Sequence, residues 1–154
     1  MALRLFNTAS RTLEEFHPGT PPDVTMYNCG PTVYNYIHVG NLRPYVFADI
    51  LRRTLEWSGY QVKQIVNITD VGHLVGDGDD GEDKMTQALK REGKPLTKES
   101  MQEVGEFYTQ KFTEDLESLG ILPAHRYPKA SQHIKEDIAL VETLSEKGFT
   151  YQTS

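Results

Sequence analysis

The hydrophobic positions of the chain switch between the alternation typical of strands and the spacing typical of helices. A β-prone run over residues 24–29 stops at Gly30, as a buried strand that ends in a loop does. A helix is then predicted, with Pro44 in its first turn and Gly59 at its end. Its apolar positions are Val46, Ile50, Leu51 and Leu55. A second short strand over residues 60–67 completes a parallel βαβ unit, for which a right-handed crossover is expected.

Two further helices are predicted beyond an acidic, glycine-rich segment. One follows Thr97, a residue type that caps helices, and the other ends near Gly148. Their apolar positions are Met101, Val104, Tyr108, Phe112 and Leu116 in the first, and Ile134, Ile138, Val141 and Leu144 in the second. Residues 149–151 are interpreted as a strand that is cut short.

The chain of 154 residues has the size of one α/β domain. We expect residues 1–22 to form an amino-terminal extension or hairpin and residues 23–70 to form the βαβ unit. Residues 71–83 are then the acidic glycine-rich loop, and residues 84–154 are a helical continuation with the start of a further strand. The predicted fold is a parallel sheet with flanking helices.

Composition narrows the classes of partner. Hydrophobic residues make up 38% of the chain and charged residues 25%, so a globular protein is indicated. The formal net charge of −6 argues against a broadly basic surface for nucleic acid, and DNA is not expected as a partner. No apolar run approaches the roughly 20 residues that span a bilayer, and the first residues lack the layout of a secretory signal. We therefore expect no membrane partner and a cytoplasmic location.

The segment over residues 27–41 carries the candidate chemistry. It places the thiol of Cys29 at the end of a strand and the imidazole of His38 at the mouth of a helix. Ligands of open α/β sheets collect outside the carboxyl ends of the strands, and a helix start receives phosphate there. His38 donates hydrogen bonds, Gly40 allows close approach of a base or sugar, and Asn41 adds neutral amide donors. The segment therefore suits a nucleotide, although such a histidine also occurs beside ordinary turns.

The same segment resembles the cysteinyl-tRNA synthetase family. The family's order and spacing are matched by residues 29–34 (CGPTVY), residues 38–41 (HVGN) and residues 67–70 (NITD). The likeness begins near Leu5 and continues to His133. It implies a Rossmann-like sheet, the first half of a class I synthetase nucleotide-binding fold.

The resemblance also implies an activity. The parent enzyme activates cysteine with ATP, with magnesium, to cysteinyl adenylate and transfers it to tRNA(Cys). His38 and Asn41 are the implied catalytic residues, and these two with Gly40 bind ATP. Asn41 stands where class I enzymes more often have histidine, although asparagine also occurs there in this family.

The resemblance implies in addition that Cys29 is a ligand of a zinc ion that selects the thiol of substrate cysteine. Gly30 and Thr69 are the implied substrate-binding residues. Without the family pattern, these residues would be interpreted as a small buried apolar side chain, a turn glycine and a threonine at a strand end. Because Cys29 is the only cysteine, an internal disulfide and an all-cysteine zinc site are both excluded within this chain.

The segment over residues 72–81 is interpreted as an insertion relative to shorter family members. Its aspartates do not fit a calcium-binding EF-hand loop starting at Asp77, because Gly81 stands where a ligand is needed. We expect a solvated loop, with His73 as a surface residue or a contact at the rim of the site. Lys84 and Lys90 are interpreted as solvated charges on a helix face.

The family completes its zinc site with Cys, His and Glu residues far downstream and carries a second, lysine-rich ATP loop; this chain contains neither. It is therefore expected to be part of a longer protein or a short paralogue, and to be inactive alone. Two other functions stay open from the sequence. One is a related ligase that passes cysteinyl adenylate to an amino sugar, and the other is a non-catalytic module that binds a nucleotide or a partner.

Overall fold

The computed structural model of the protein describes residues 3–72 and 83–152. The chain begins with an antiparallel hairpin of β1 (Arg4–Asn7) and β2 (Thr12–Glu15), in which Arg4 pairs with Glu15. Most of the predicted acidic loop lies outside the described residues, including His73, Asp77 and Gly81.

The predicted parallel unit is confirmed. β3 (Asp23–Asn28) and β4 (Gln61–Val66) pair in parallel, with Val24 opposite Val62 and Asn28 opposite Val66. Helix α1 (Val39–Trp57) connects the two strands and packs on β4. Because the strands are parallel, both carboxyl ends lie at one edge of the sheet, where the predicted site residues follow β3.

A third stretch extends this sheet. The backbone over residues 125–130 runs parallel to β4, and the Val66 amide donates to the Arg126 carbonyl at 3.1 Å. Further along, the Ile68 amide donates to the Pro128 carbonyl at 2.8 Å, and the Ala130 amide donates to Ile68 at 2.9 Å. The sequence did not indicate this pairing, since the stretch carries a proline, Pro128, and no alternating apolar pattern.

Helix α1 begins earlier than expected. Its cap is His38, so Pro44 lies inside the helix instead of in its first turn. Pro44 has no N–H with which to satisfy the carbonyl of Gly40, one turn earlier. The predicted end is correct, since Gly59 adopts a left-handed φ of 92° that favours glycine.

Three α-helices follow β4 in the described part of the chain, and for the first of them the sequence predicted a helix face with Lys84 and Lys90 but no bounds. Helix α2 (Lys84–Arg91) is capped by Asp83, which accepts from the Thr86 amide at 3.0 Å. Helix α3 (Lys98–Ser118) begins at the predicted cap, since Thr97 accepts from the Ser100 amide at 3.2 Å. The two helices pack together over the loops that follow β3 and β4. The core between them comprises Val33, Tyr45, Val66, Ile68, Met85, Ala88, Leu89, Val104, Tyr108, Phe112 and Leu116.

The carboxyl-terminal part is the most exposed. Helix α4 (Ile134–Glu146) follows a short 3-10 helix (Ala130–Gln132) and buries none of its residues. The strand predicted over residues 149–151 is not formed. A strand requires a partner for its backbone groups, and the described residues place none beside this stretch. In residues 3–72 and 83–152, no helix is both long and apolar enough to cross a membrane.

Candidate functional site

A cavity of about 480 Å³ opens where β3 ends and α1 begins. We name the connection between them, residues 29–38, the site loop. The cavity wall brings together the predicted residues Cys29, Gly30, His38, Gly40 and Asn41. They meet because the strand delivers the thiol and the helix start delivers the imidazole to the same edge of the sheet.

Cys29 is exposed on this wall, and its sulfur lies 3.7 Å from the Gly30 carbonyl oxygen. The interpretation of Cys29 as a buried apolar side chain is therefore wrong. Burial raises the pKa of the neighbouring Tyr45 hydroxyl well above its ordinary value, with Cys29 and Tyr127 as further causes. Tyr45 is thus a neutral hydroxyl on the cavity wall at physiological pH.

His38 is fixed by the helix that it begins. Its Nδ1 accepts a hydrogen bond from the Gly40 amide at 3.1 Å, which is the cap of α1. A neutral imidazole that accepts at Nδ1 carries its proton at Nε2. The exposed ring therefore has one N–H left to donate to a ligand in the cavity. The first turn of α1 holds no acidic residue, so its partial positive charge is not offset there.

Gly40 and Asn41 lie in that first turn. An added Cβ at Gly40 would lie 3.0 Å from Cε1 and 3.1 Å from Nδ1 of His38, so glycine keeps the ring in its capping position. The backbone amide of Asn41 donates to the His38 carbonyl at 2.9 Å, and Asn41 itself is exposed to the cavity.

Gly30 is required by a close approach of two backbones. Its amide donates to Oδ1 of Asn67 at 2.9 Å, and an added Cβ would collide with the carbonyl carbon and oxygen of Asn67. Only a residue without a side chain fits this position. Gly30 therefore has a structural role in addition to its place on the cavity wall.

Thr69 is placed differently from the other predicted site residues. It is not among the residues that line the cavity, and its hydroxyl accepts from Nδ2 of Asn67 at 3.2 Å. Its backbone joins the site loop, since Thr69 donates to the Pro31 carbonyl at 2.9 Å and accepts from the Val33 amide at 3.1 Å. Asn67 and Thr69 thus fasten the loop after β4 to the site loop. No role was predicted for Asn67, although it stands in the matched motif over residues 67–70.

Replacing Gly30 by alanine is expected to destabilise the protein by about 1–3 kcal/mol, because the new methyl group meets rigid backbone of Asn67 instead of a movable side chain. Gly19 provides a matched control, since nothing lies within 4 Å of a Cβ added there and its φ is not left-handed. Urea unfolding of both variants measures the difference. Equal unfolding midpoints for Gly30→Ala and Gly19→Ala would contradict the close approach.

Lys84 differs from its predicted role as a solvated charge. It is half-buried, lines the cavity and places its ammonium 5.4 Å from the centroid of the Tyr34 ring. Lys90 is exposed on the same helix, as the sequence indicated. The cavity wall therefore combines a cation with aromatic rings, including those of Tyr45 and Tyr108.

The donor groups around Cys29 decide how far these residues fit a zinc ion. The described residues contain no group of three or more His, Cys, Asp or Glu side chains that could hold a metal ion. Cys29 nevertheless presents a sulfur to an open cavity, which is the chemistry of a single soft ligand. These residues fit a zinc site only as one contributor among ligands from elsewhere.

The chain matches the family of "tRNA synthetases class I (C) catalytic domain" over residues 15–154. It is 48% identical to Cysteine--tRNA ligase 1 of Burkholderia lata over 99% of this chain and 32% of that protein. It is 47% identical to Cysteine--tRNA ligase of Zymomonas mobilis over 96% of this chain and 28% of that protein. The corresponding enzyme of Chlorobium chlorochromatii is 45% identical over 100% of this chain and 31% of that protein.

The chain therefore spans about a third of the length of these relatives. The match begins at the last residue of β2 and includes the βαβ unit, the site loop and the later helices. Because the match covers nearly all of its residues, this chain belongs to the family of class I (C) tRNA synthetase catalytic domains.

Proposed function

We propose that the protein carrying this chain is a cysteine–tRNA ligase, which activates cysteine with ATP and transfers the cysteinyl group to tRNA(Cys). The observation that carries the proposal is a cavity whose lining includes both Cys29 and His38. One end of the site loop suits a thiol, and the other suits a phosphate. Relatives named for this activity match almost the whole chain at 45–48% identity.

His38, Gly40 and Asn41 form the ATP side of the proposed site. The imidazole of His38 is already held by the hydrogen bond that caps α1. Its Nε2–H therefore needs little reorientation when a phosphate binds. Gly40 leaves room for the nucleotide, and Asn41 offers the amide of its side chain from the helix start. The cysteine carboxylate attacks the α-phosphorus and pyrophosphate leaves, with magnesium expected to offset the phosphate charges. Positioning and charge stabilisation are the contributions of His38 and Asn41.

Cys29 and Gly30 form the cysteine side. Zinc, when bound, would stabilise the thiolate of substrate cysteine, and Cys29 would hold the ion with three ligands from other parts of the protein. A serine substrate lacks the soft sulfur and is rejected on that ground. Because Gly30 has no side chain, the site loop packs directly on the backbone of Asn67 beside the proposed position of the substrate. Direct contact of Thr69 with the substrate stays a prediction, since its hydroxyl is engaged by Asn67.

The tRNA is expected to be held mainly outside this chain. A formal net charge of −6 gives little counterion release on binding phosphates, so basic surfaces elsewhere must supply the affinity. This function would place the protein in the cytoplasm, where tRNA is charged.

The decisive assay uses the full-length protein with ATP, zinc, radiolabelled cysteine and tRNA. Cysteinyl-tRNA is the expected product, and the 154-residue chain assayed in parallel is expected to form none above background. The chain alone supplies one candidate zinc ligand and half of a nucleotide fold, and a small misplacement of reacting groups already costs about 10²-fold.

Product analysis also separates the alternatives. A cysteinylated amino sugar would identify the related ligase, and an absence of ATP–pyrophosphate exchange would identify a binding module. Cysteinyl-tRNA formation by the short chain would contradict the inference that it needs the rest of the protein.

A further inference from the structure

The two halves of the site loop are held by different devices. Residues 30–33 are fastened to residues 67–69 by the backbone hydrogen bonds of Gly30, Pro31 and Val33 described above. Residues 34–37 lack such a ladder within the described chain. Tyr34 and Ile37 pack their side chains against the core, but packing alone allows the backbone between them to shift.

Arg91 supplies the tie for this second half. Its guanidinium donates to the Tyr34 carbonyl at 2.7 Å and to the Tyr108 hydroxyl at 3.0 Å. Among residues 3–72 and 83–152, this is the hydrogen bond that joins the backbone of residues 34–37 to another element. Both hydrogen bonds come from Nη2, whose two N–H groups point at fixed angles in the guanidinium plane, whereas the donors of an ammonium rotate freely.

The guanidinium is itself held in place. The Tyr108 hydroxyl that accepts from Arg91 donates to the Glu92 carboxylate at 2.7 Å, and Arg91 lies 3.5 Å from that carboxylate. The Arg91 guanidinium also lies 5.8 Å from the centroid of the Tyr108 ring. Burial is the main cause that raises the pKa of Tyr108, and its hydrogen bond to Glu92 is the second. The hydroxyl therefore stays protonated and able to donate.

Helix α2 carries this tie on a rigid support. Met85, Ala88 and Leu89 are buried in the core with α3. The other end of the helix also meets the same loop residue, because Lys84 lies over the Tyr34 ring at 5.4 Å. Tyr34 is thus held at its ring by one end of α2 and at its carbonyl by the other.

We propose that Arg91 is a positioning residue for the ATP-facing half of the site. The inference rests on the proposed function, because it assigns ATP to the side of the cavity that His38 occupies. Arg91 restricts the Tyr34 carbonyl, and through it the short run of residues that ends at His38. Cys29 and Gly30 are independent of Arg91, since Asn67 and Thr69 hold their half of the loop.

The expected effect is a split between the two substrates. In Arg91→Met of the full-length protein, the KM for ATP in pyrophosphate exchange should rise roughly 5- to 10-fold, because the competent loop arrangement is less populated before ATP binds. The maximal rate and the KM for cysteine should stay within about 2-fold, since saturating ATP selects the competent arrangement and the cysteine side is held separately. Arg91→Lys keeps a cationic donor but loses the planar guanidinium, so its KM for ATP should lie between those of the wild type and Arg91→Met.

Arg53 is the matched control. Like Arg91 it donates to a backbone carbonyl, that of Gly120 at 2.8 Å, and lies beside a carboxylate, that of Asp49 at 2.7 Å. Its side chain is 49% exposed, against 44% for Arg91. Its acceptor Gly120 is not among the residues that line the cavity, whereas Tyr34 and Tyr108, the acceptors of Arg91, both are. Arg53→Met should therefore lose comparable stability without a change in the KM for ATP.

Hydrogen exchange of the full-length protein gives a readout that does not require activity. Peptides covering residues 34–38 should exchange faster in Arg91→Met than in the wild type or Arg53→Met, while residues 30–33 stay protected. If the wild type shows no pyrophosphate exchange, the proposed function fails and hydrogen exchange alone decides the role of Arg91. The proposal would be overturned by unchanged hydrogen exchange of residues 34–38 in Arg91→Met. It would also be overturned if Arg91→Met and Arg53→Met changed the KM for ATP equally, or if Arg91→Met raised the KM values for ATP and cysteine equally.

Discussion

Alanine at position 38 is expected to lower the rate of ATP–pyrophosphate exchange by about 10²- to 10³-fold, which is the usual loss for one donor in a transition state. The structure gives the reason in atomic terms. Nδ1 of His38 is engaged by the Gly40 amide, so the ring offers Nε2–H to the cavity from a fixed position. A donor that is already oriented needs no reorganisation when charge develops on the phosphate.

The same substitution also removes the cap of α1, and loss of a cap costs about 1 kcal/mol of stability. His38→Asn separates the two effects. Asparagine is a good cap and restores the hydrogen bond to the helix start, but it does not place an imidazole N–H in the cavity. We therefore expect His38→Asn to recover most of the stability and little of the exchange rate.

The measurement is pyrophosphate exchange by the full-length protein, with urea unfolding of each variant beside it. The KM for cysteine should change little, since Gly30, which follows Cys29, is held by the loop after β4. The role of His38 in the activation step would be contradicted if His38→Asn recovered the rate of pyrophosphate exchange. It would also be contradicted if His38→Ala changed only the KM for cysteine.

The local parts of the fold could be predicted from the sequence. β3, β4, the end of α1 at Gly59 and the cap of α3 at Thr97 depend on residues that are neighbours in the chain. The bounds and the cap of helix α2 were not predicted, although Asp83, Met85 and Leu89 show the usual cap and spacing, because the helix is only 8 residues long. The strand-like pairing of residues 125–130 was missed because it depends on β4, far away in the sequence.

Spacing predicts a helix but does not determine which side is buried. In α1 the positions Val46 and Ile50 fit the period, yet they are 38% and 58% exposed. Tyr45 and Ala48, which share another stripe of the same helix, are buried instead. The choice between stripes is made by the strands and α3, so it requires tertiary contacts that the pattern does not contain.

The candidate site shows the same division. Cys29, Gly30, His38, Gly40 and Asn41 lie close together in the sequence and line one cavity, and their roles stay predictions. The supporting contacts were not predicted, because Asn67 lies 37 residues from Gly30 and Arg91 lies 57 residues from Tyr34. Thr69 also supports the site loop, through its backbone hydrogen bonds with Pro31 and Val33.

Serine at position 29 is expected to remove zinc from the full-length protein and to lower cysteine-dependent pyrophosphate exchange by more than about 10²-fold. Altering groups that only support a metal ligand typically costs 10- to 100-fold, so loss of a ligand itself should exceed about that range. A thiolate binds zinc at about 2.3 Å, whereas a serine hydroxyl is a hard, protonated oxygen at neutral pH. The substituted site would lose affinity for zinc and the negative charge of the thiolate.

The substitution should leave folding nearly intact. Cys29 is exposed, and its sulfur makes a weak polar contact with the Gly30 carbonyl oxygen at 3.7 Å. Exposed substitutions of this kind change stability by about 0.5 kcal/mol or less. A loss of zinc without a loss of stability would therefore report on ligation and not on unfolding. Cys29→Asp provides a comparison, because a carboxylate is a poorer zinc ligand that keeps the negative charge.

Zinc content by metal analysis and exchange at saturating ATP are the two measurements. The expected order for both is wild type, then Cys29→Asp, then Cys29→Ser, while the KM for ATP changes little because His38 lies on the other half of the site loop. That order distinguishes a zinc ligand from a residue that merely lines the cavity, for which serine would be the milder substitution. Zinc content equal to the wild type in Cys29→Ser would show that the ion is held without Cys29, and the thiol-facing half of the proposed site would then require another explanation.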